Sequence, residues 1–211
     1  MSVNNDTHNT SNKPTAVLLL ENGDTFWGYG FGAKKQSIGE LCFNTSTTGY
    51  QEILTDPSYT KQIITFTFPH IGIVGTNEND QESLRCFASG CVFSSEINYP
   101  SNWRSKQSLS DWLIYNDIPC ITKIDTRYIT KTLSEKGSLK AAIANFGNDN
   151  INLNDLKKKI SKWQGLERLD LAKSLGADEV ILSENIKDTG KVIRQVSNNN
   201  LDIFIEIIKY I

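Results

Sequence analysis

The densest set of side chains that could recognise a polar ligand lies in residues 43–59. Asn44 is followed by residues 45–48, a run of four hydroxyl side chains after an apolar, strand-like segment. Hydroxyl and amide groups donate and accept hydrogen bonds without titrating near pH 7. The run therefore allows two interpretations: a loop that binds a polar ligand or partner, or hydroxyls that cap the next helix, with Thr48 as N-cap. The residues alone favour capping, and no general base lies nearby to make Ser46 a nucleophile.

The sequence offers few groups for covalent, acid–base or metal chemistry. It contains two histidines, His8 and His70, and four cysteines at positions 42, 86, 91 and 120. The cysteine spacings fit neither a C-x-x-C motif nor a zinc site. Three of the cysteines lie among apolar residues, where cysteine usually behaves as a small buried hydrophobe. We therefore expect reduced thiols, no catalytic residue, no metal site and no cofactor.

A glycine-rich run, G-x-G-x-G at residues 28–32, has some likeness to a nucleotide-binding loop. The dinucleotide fingerprint requires G-x-G-x-x-G between a strand and a helix. Here the spacing is shorter, and residues 34–36 lead into another apolar, strand-like run. We interpret the glycines as a loop or as the twisted end of a strand.

Hydrophobic patterns predict strands early in the chain. The predicted strands cover residues 16–20, 25–29, 38–43, 63–68, 90–93 and 139–144. Asn22-Gly23 between the first two strands indicates an antiparallel hairpin. The alternation of strands and helices between residues 90 and 144 allows a locally parallel sheet.

Capping residues and helical spacing predict four helices. The first helix covers residues 50–55, and the second starts after Ser108, with Asp111 completing a capping pattern. The third follows Asp125 or Thr126 and stops at Gly137, and the fourth follows Asn152 or Asn154. Strands followed by helices indicate a mixed α and β domain.

Composition and charge narrow the class of protein. The 211 residues are 38% hydrophobic and 22% charged, which is enough apolar material for a packed core. The net charge of -2 and a single short basic run, residues 157–159, predict no nucleic-acid partner. No apolar run is long enough to span a bilayer, and residues 1–14 lack the apolar segment of a secretory signal. We expect a cytoplasmic protein without a membrane partner.

Five segments occur in an unusual combination. In order they are residues 39–59, 68–72, 101–104, 124–127 and 135–137. Together they resemble the N-terminal domain of the small chain of carbamoyl-phosphate synthetase, and the resemblance extends over residues 15–174.

The resemblance implies an α/β fold and a division of the chain. The family's N-terminal domain is a swivelling β/β/α domain of three layers, expected here at residues 15–150. Residues 151–174 are expected to form a family-like helical extension. We expect a disordered arm at residues 1–14 and an atypical tail at residues 175–211.

The resemblance also implies a function. The family's complete small chain hydrolyses glutamine in a second domain with a Cys-His-Glu set, and the large chain uses the ammonia, bicarbonate and ATP to make carbamoyl phosphate. This chain would dock on the large chain, in a heterodimer or higher assembly, and support synthesis for the arginine or pyrimidine pathway. The serine of the family's F-N-T-S motif contributes to the glutamine site, and here it is Ser46. The hydroxyl run thereby becomes an expected binding element.

The sequence departs from the family in one respect that matters for activity. It contains no G-x-C-x-G-x-Q nucleophile segment and no later His-x-Glu pair. Without a thiolate, its imidazole base and the oxyanion donors, we expect no intrinsic glutaminase activity. L-Glutamine is expected as a ligand only if a glutaminase domain is supplied. The alternative is a truncated, non-functional remnant, and a free-standing enzyme is least favoured.

Overall fold

The computed structural model describes residues 13–166, and predictions for the arm and the tail lie outside this range. In chain order the elements are β1 (Ala16–Leu20), β2 (Thr25–Gly32), β3 (Gln36–Asn44), α1 (Tyr50–Thr55), β4 (Gln62–Phe66), β5 (Gly90–Val92), α2 (Leu109–Tyr115), β6 (Pro119–Thr122), α3 (Thr126–Lys136), β7 (Leu139–Asn145) and α4 (Leu153–Lys162). A 3-10 turn covers Pro57–Tyr59, between α1 and β4.

The strands of residues 13–166 close into a seven-stranded barrel in the order β1-β2-β6-β5-β4-β3-β7. Strands β3, β4, β5 and β6 are parallel neighbours, and the remaining pairs are antiparallel. The predicted α/β class and the opening hairpin are confirmed. The two strands predicted between residues 90 and 144 do not pair with each other: β5 pairs in parallel with β6, a strand that was not predicted, and β7 is antiparallel to both of its neighbours. The pattern does not predict closure, because periodicity shows which faces are buried but not which strands pair.

Strand β1 is apolar at all five positions, and its packing explains why. Leu18 and the other even-numbered residues of the strand pack in the barrel interior. Val17 and Leu19 face outward and pack against Leu156 and Ile160 of α4. Both faces of the strand are therefore buried, and all five residues are shielded from solvent. Helix α3 packs against the interior cluster. Helices α1 and α2 pack on the outside of the barrel, over β4, β5 and β6.

The caps predicted for the last three helices are confirmed. Ser108, Asp125 and Asn152 each accept a hydrogen bond from a backbone N–H in the first turn of the helix that follows. Gly137 ends α3 with a φ of 80°, a conformation that glycine adopts without steric cost. These boundaries depend on neighbouring residues, which explains why the sequence predicts them well.

The sequence pattern does not predict β6. This strand has four residues, all of them buried, and begins with Pro119. A proline is tolerated at the first position of a strand, but in a sequence it is typical of a connection. Because β6 pairs with both β2 and β5, it is nevertheless required to close the barrel.

The glycine-rich run is the end of strand β2, as interpreted from its spacing. A Cβ on Gly28 would overlap the backbone oxygen of Thr122 and crowd the side chain of Ile124. A Cβ on Gly30 would overlap the side-chain amide of Asn145. The Asn145 Nδ2 group donates to the carbonyl oxygen of Phe31 at 3.1 Å and to other carbonyls after it. These glycines therefore serve close packing in the barrel.

Replacing Gly28 with alanine tests this packing. We expect Gly28→Ala to lower the free energy of unfolding by about 2 kcal/mol, because the added methyl group meets backbone atoms. Gly23→Ala is the control, since a Cβ there meets nothing within 4 Å and a φ of 96° leaves only backbone strain, about 1 kcal/mol. Urea denaturation measures both changes. A smaller loss for Gly28→Ala than for Gly23→Ala would contradict the packing argument.

The four cysteines are free thiols, and all lie in or near the core. Cys91 and Cys120 are fully buried and in register on β5 and β6. Burial, with a smaller contribution from the charge of Glu40, raises the pKa of Cys42 to about 12. Burial also raises the pKa of Cys86 to about 12. At alkaline pH the folded protein therefore keeps these thiols protonated, whereas the unfolded chain releases their protons.

This difference predicts a loss of stability at alkaline pH. An ordinary thiol with a pKa of 9.0 ionises on unfolding, whereas folded Cys42 keeps its proton up to about pH 12. The contribution of the buried Cys42 thiol to stability is complete below pH 9 and declines as the pH rises from 9 to about 12. We expect the free energy of unfolding, measured by urea denaturation, to fall above pH 9 and to fall less steeply in Cys42→Ala. An equal slope in both proteins would contradict the assignment.

Candidate functional site

Three connections of the chain lie together on one face of the barrel, which we call the crossover face. Parallel neighbouring strands must be joined by connections that cross the sheet. The connections are residues 45–61 between β3 and β4, residues 67–89 between β4 and β5, and residues 93–118 between β5 and β6. Their apolar residues share one core cluster with the strands beneath them. Three of the five recognised segments therefore meet on this face.

The hydroxyl run lies at the end of β3, at the start of the first connection. Residues 45–48 are all exposed, and α1 follows directly after Gly49. The predicted cap at Thr48 is wrong: Gly49 is the N-cap, with φ 81° and ψ 27°, and no side chain caps the helix. A left-handed turn at this position suits glycine, and it leaves the hydroxyls outside the helix. Within residues 13–166, none of the four hydroxyls has a hydrogen-bond partner.

Ser46 is exposed, and its backbone is fixed. The Ser46 N–H donates to Asn44 Oδ1 at 2.8 Å. The Asn44 Nδ2 group donates to the hydroxyl of Tyr59 at 3.0 Å. The loop is thus tied to the 3-10 turn after α1, while the Ser46 hydroxyl stays accessible. The sequence places Asn44 in the polar run but does not reveal its bond to Tyr59, because a pairing across 15 residues leaves no local pattern.

Helix α1 holds the second connection through buried side chains. The hydroxyl of Tyr50 donates to the carbonyl oxygen of Gly75 at 2.5 Å. Gln51 pairs with the backbone of Asn77 in both directions: its Nε2 donates to the carbonyl oxygen at 2.7 Å, and its Oε1 accepts from the N–H at 3.0 Å. Burial raises the pKa of Tyr50, so its hydroxyl remains a donor. These polar residues serve as structural anchors for an irregular segment.

The last turn of α1 extends the same attachment. Thr55 Oγ1 accepts from the backbone N–H of Glu82 at 2.9 Å. The carbonyl oxygen of Leu54 accepts from the N–H of Phe87 and from the thiol of Cys86, both at 3.0 Å. A helix of six residues therefore supplies hydrogen bonds along most of a long connection that has no regular structure. This explains why the recognised motif continues through α1.

The second and third connections are joined by charge and by backbone pairing. Asp80 accepts from the side chain of Asn77 at 2.8 Å and forms an ion pair with Arg104 at 2.5 Å. Thr76 and Gln107 form an isolated antiparallel bridge. The Ser-Asn-Trp-Arg segment at residues 101–104 is therefore fixed relative to α1 through Asp80 and Asn77.

The irregular part of the third connection, residues 94–108, carries two exposed aromatic residues. Tyr99 is 91% exposed and Trp103 is 90% exposed, although the backbone around them is hydrogen-bonded to the second connection. Large aromatic side chains in such positions are typical of protein–protein contact sites. They lie on the crossover face, as does Ser46.

His70 is exposed and contacts the ring of Phe68 edge-on, with 5.6 Å between the ring centroids. In the part of the chain that the structure describes, no carboxylate bonds to it. Residues 13–166 also contain no group of three or more side chains arranged to ligate a metal ion. None of the helices in that range is both long and apolar enough to cross a bilayer.

Comparison with known proteins gives the family. Residues 18–143 match the family model described as the carbamoyl-phosphate synthase small chain, CPSase domain. The chain belongs to this small chain family. The resemblance inferred from the five segments is confirmed.

Relatives in the family are similar over most of this chain. The carbamoyl phosphate synthase small chain of Bartonella henselae is 50% identical over 168 residues, which are 78% of this chain and 42% of the relative. The small chain of Bartonella quintana is 48% identical over 80% of this chain and 44% of its own length. That of Mesorhizobium japonicum is 48% identical over 77% of this chain and 42% of the relative. The chain thus spans less than half the length of these relatives.

The pairing of Gln51 with Asn77 predicts that removing the Gln51 side chain loosens the second connection. In Gln51→Ala, two buried backbone groups lose their partner, and we expect the free energy of unfolding to fall by about 2 kcal/mol. The amide of Asn77 should exchange with solvent at least about tenfold faster, because it opens locally. Gln62→Ala is the matched control, since that side chain makes one exposed hydrogen bond of 3.3 Å. Equal exchange rates at Asn77 in both variants would contradict the anchoring role.

Proposed function

We propose that this chain is the docking domain of a carbamoyl-phosphate synthetase small chain. It binds the large chain in a heterodimer or higher assembly and contributes Ser46 to a glutamine site completed by a glutaminase region. In this way it supports glutamine-dependent carbamoyl phosphate synthesis in the cytoplasm, for arginine or pyrimidine formation. The observation that carries the proposal is the crossover face, on which an exposed hydroxyl loop and exposed aromatic residues are carried by connections that hydrogen bonds hold in place.

Ser46 has the chemistry that a glutamine contact requires. Its hydroxyl is exposed, has no partner among residues 13–166, and can donate to a carboxylate or carbonyl oxygen or accept from an ammonium group. The hydrogen bond from its N–H to Asn44 Oδ1 fixes the backbone, which lowers the entropy lost on binding. A neutral hydroxyl also binds equally well across the physiological pH range.

Tyr99 and Trp103 supply apolar area for a protein partner. Each is about nine-tenths exposed, and each is carried on backbone that is bonded to the second connection. Burying such aromatic side chains is favourable, and preorganised backbone reduces the entropic cost of association. The large chain is the partner that the family relationship suggests.

Binding of the purified large chain tests the docking proposal. We expect the full chain to bind it at micromolar concentration or below, and Trp103→Ser to weaken binding about tenfold or more. Tyr128→Ser is the control, since Tyr128 lies on α3, which packs against the barrel interior cluster. Isothermal titration calorimetry measures the affinities. No binding of the unaltered chain at micromolar concentration would overturn the proposal, as would unchanged affinity in Trp103→Ser.

A second experiment tests the role of Ser46 in the assembled synthetase. We expect Ser46→Ala to lower kcat/KM for glutamine about tenfold, which corresponds to one hydrogen bond of about 1.4 kcal/mol. Synthesis with ammonium chloride in place of glutamine is the internal control, and it should stay unchanged. An unchanged kcat/KM for glutamine would overturn the proposed contact.

A further inference from the structure

We infer that Asn44 and Tyr59 are positioning residues that set the orientation of Ser46 toward glutamine. The inference rests on the proposed function, because it concerns how the proposed glutamine contact is held. Asn44 accepts from the backbone N–H of Ser46, and the Tyr59 hydroxyl accepts from Asn44, so each acts through the backbone of Ser46. The juxtaposition of these three residues, 15 positions apart in the chain at their extremes, carries the inference.

Asn44 connects the loop to the barrel through its carbonyl oxygen and both polar atoms of its side chain. It is the last residue of β3, and it lies in register with Phe66 of β4. Its carbonyl oxygen accepts from the N–H of Thr67 at 3.2 Å and from the Thr67 hydroxyl at 3.3 Å. Its side chain bonds Ser46 at one end and Tyr59 at the other. Hydrogen bonds therefore hold the start of the loop to the sheet.

Tyr59 supplies the second fixed point. Its ring packs, half-buried, against the core cluster of the crossover face. The 3-10 turn that carries it is capped by Asp56, which accepts from the N–H of Ser58 at 2.8 Å. The Tyr59 hydroxyl accepts from Asn44 Nδ2 and so fixes the rotation of the Asn44 amide. That rotation decides which Asn44 atom faces Ser46, and the oxygen is the one that can accept from an N–H.

The amide is suited to this task because it must bond a donor and an acceptor at once. Alanine at position 44 would leave residues 45–48 attached only by their covalent ends, since these exposed residues have no side-chain bonds within the described range. Aspartate would keep both contacts: one carboxylate oxygen accepts from the Ser46 N–H, and the Tyr59 hydroxyl rotates to donate to the other. Asn44→Ala therefore removes both hydrogen bonds, whereas Asn44→Asp keeps both with a side chain of nearly the same size.

The first test measures the loop in the full 211-residue chain. We expect the amide of Ser46 to exchange with solvent about fivefold to tenfold faster in Asn44→Ala than in the unaltered protein, by NMR. Asn44→Asp should stay within about twofold. Equal exchange in Asn44→Ala and the unaltered protein would overturn the inference, whatever the protein binds.

The second test uses the assembled synthetase, with large chain and glutaminase region. We expect Asn44→Ala to raise KM for glutamine about tenfold and Tyr59→Phe about threefold, with kcat changed less than about twofold in both. Asn44→Asp should restore KM to within about twofold. Tyr128→Phe is the matched control, because Tyr128 lies on α3, outside the crossover face, is 49% exposed, and its hydroxyl has no hydrogen-bond partner within residues 13–166. Its KM should equal that of the unaltered protein.

The outcomes separate this inference from the proposed function. If Ser46→Ala leaves the glutamine kinetics unchanged, the proposed glutamine contact fails and the inference fails with it. If Ser46→Ala impairs the enzyme while Asn44→Ala and Tyr59→Phe leave KM unchanged, only the inference is overturned. Should Asn44→Ala not fold, Tyr59→Phe decides, because removing one hydroxyl leaves the packed ring in place.

Discussion

Four neighbouring parallel strands, β3 to β6, impose the constraint on which the rest of the structure depends. Parallel pairing forces each connection to run back over the outside of the barrel, and the three connections between these strands share one core cluster on one face. Two of these connections contain long irregular stretches, whose backbone groups need partners other than a sheet or helix. Helix α1 supplies many of them, through Tyr50, Gln51 and Thr55.

This arrangement explains why the most distinctive part of the sequence is mostly structural. The motif from Gly49 onward places buried polar side chains where the second connection needs donors and acceptors. The residues just before it remain exposed, and Ser46 is fixed through its backbone alone. The loop therefore combines a hydrogen-bonded backbone at Ser46 with an accessible hydroxyl. The same support carries Trp103, through the ion pair of its neighbour Arg104 with Asp80.

Local signals in the sequence predicted the structure where the determining contacts are local. The caps at Ser108, Asp125 and Asn152 bond groups two or three residues away, and they were predicted from residue type. The pairing of Gln51 with Asn77 spans 26 residues and leaves no periodic trace. Closure of the barrel likewise depends on β6, a short strand that begins with Pro119, and a proline in a sequence is typical of a connection. The incorrect cap at Thr48 shows a competing local effect, the left-handed conformation of Gly49.

We propose that the crossover face is a preformed surface for partner proteins. Hydrogen–deuterium exchange of the full chain, alone and with the large chain, tests it most directly. We expect binding to slow exchange in residues 94–106, around Tyr99 and Trp103. Exchange in β1 and α4, which pack together on another face, should stay unchanged. Protection confined to β1 and α4, or no protection in residues 94–106 at saturating large chain, would contradict it.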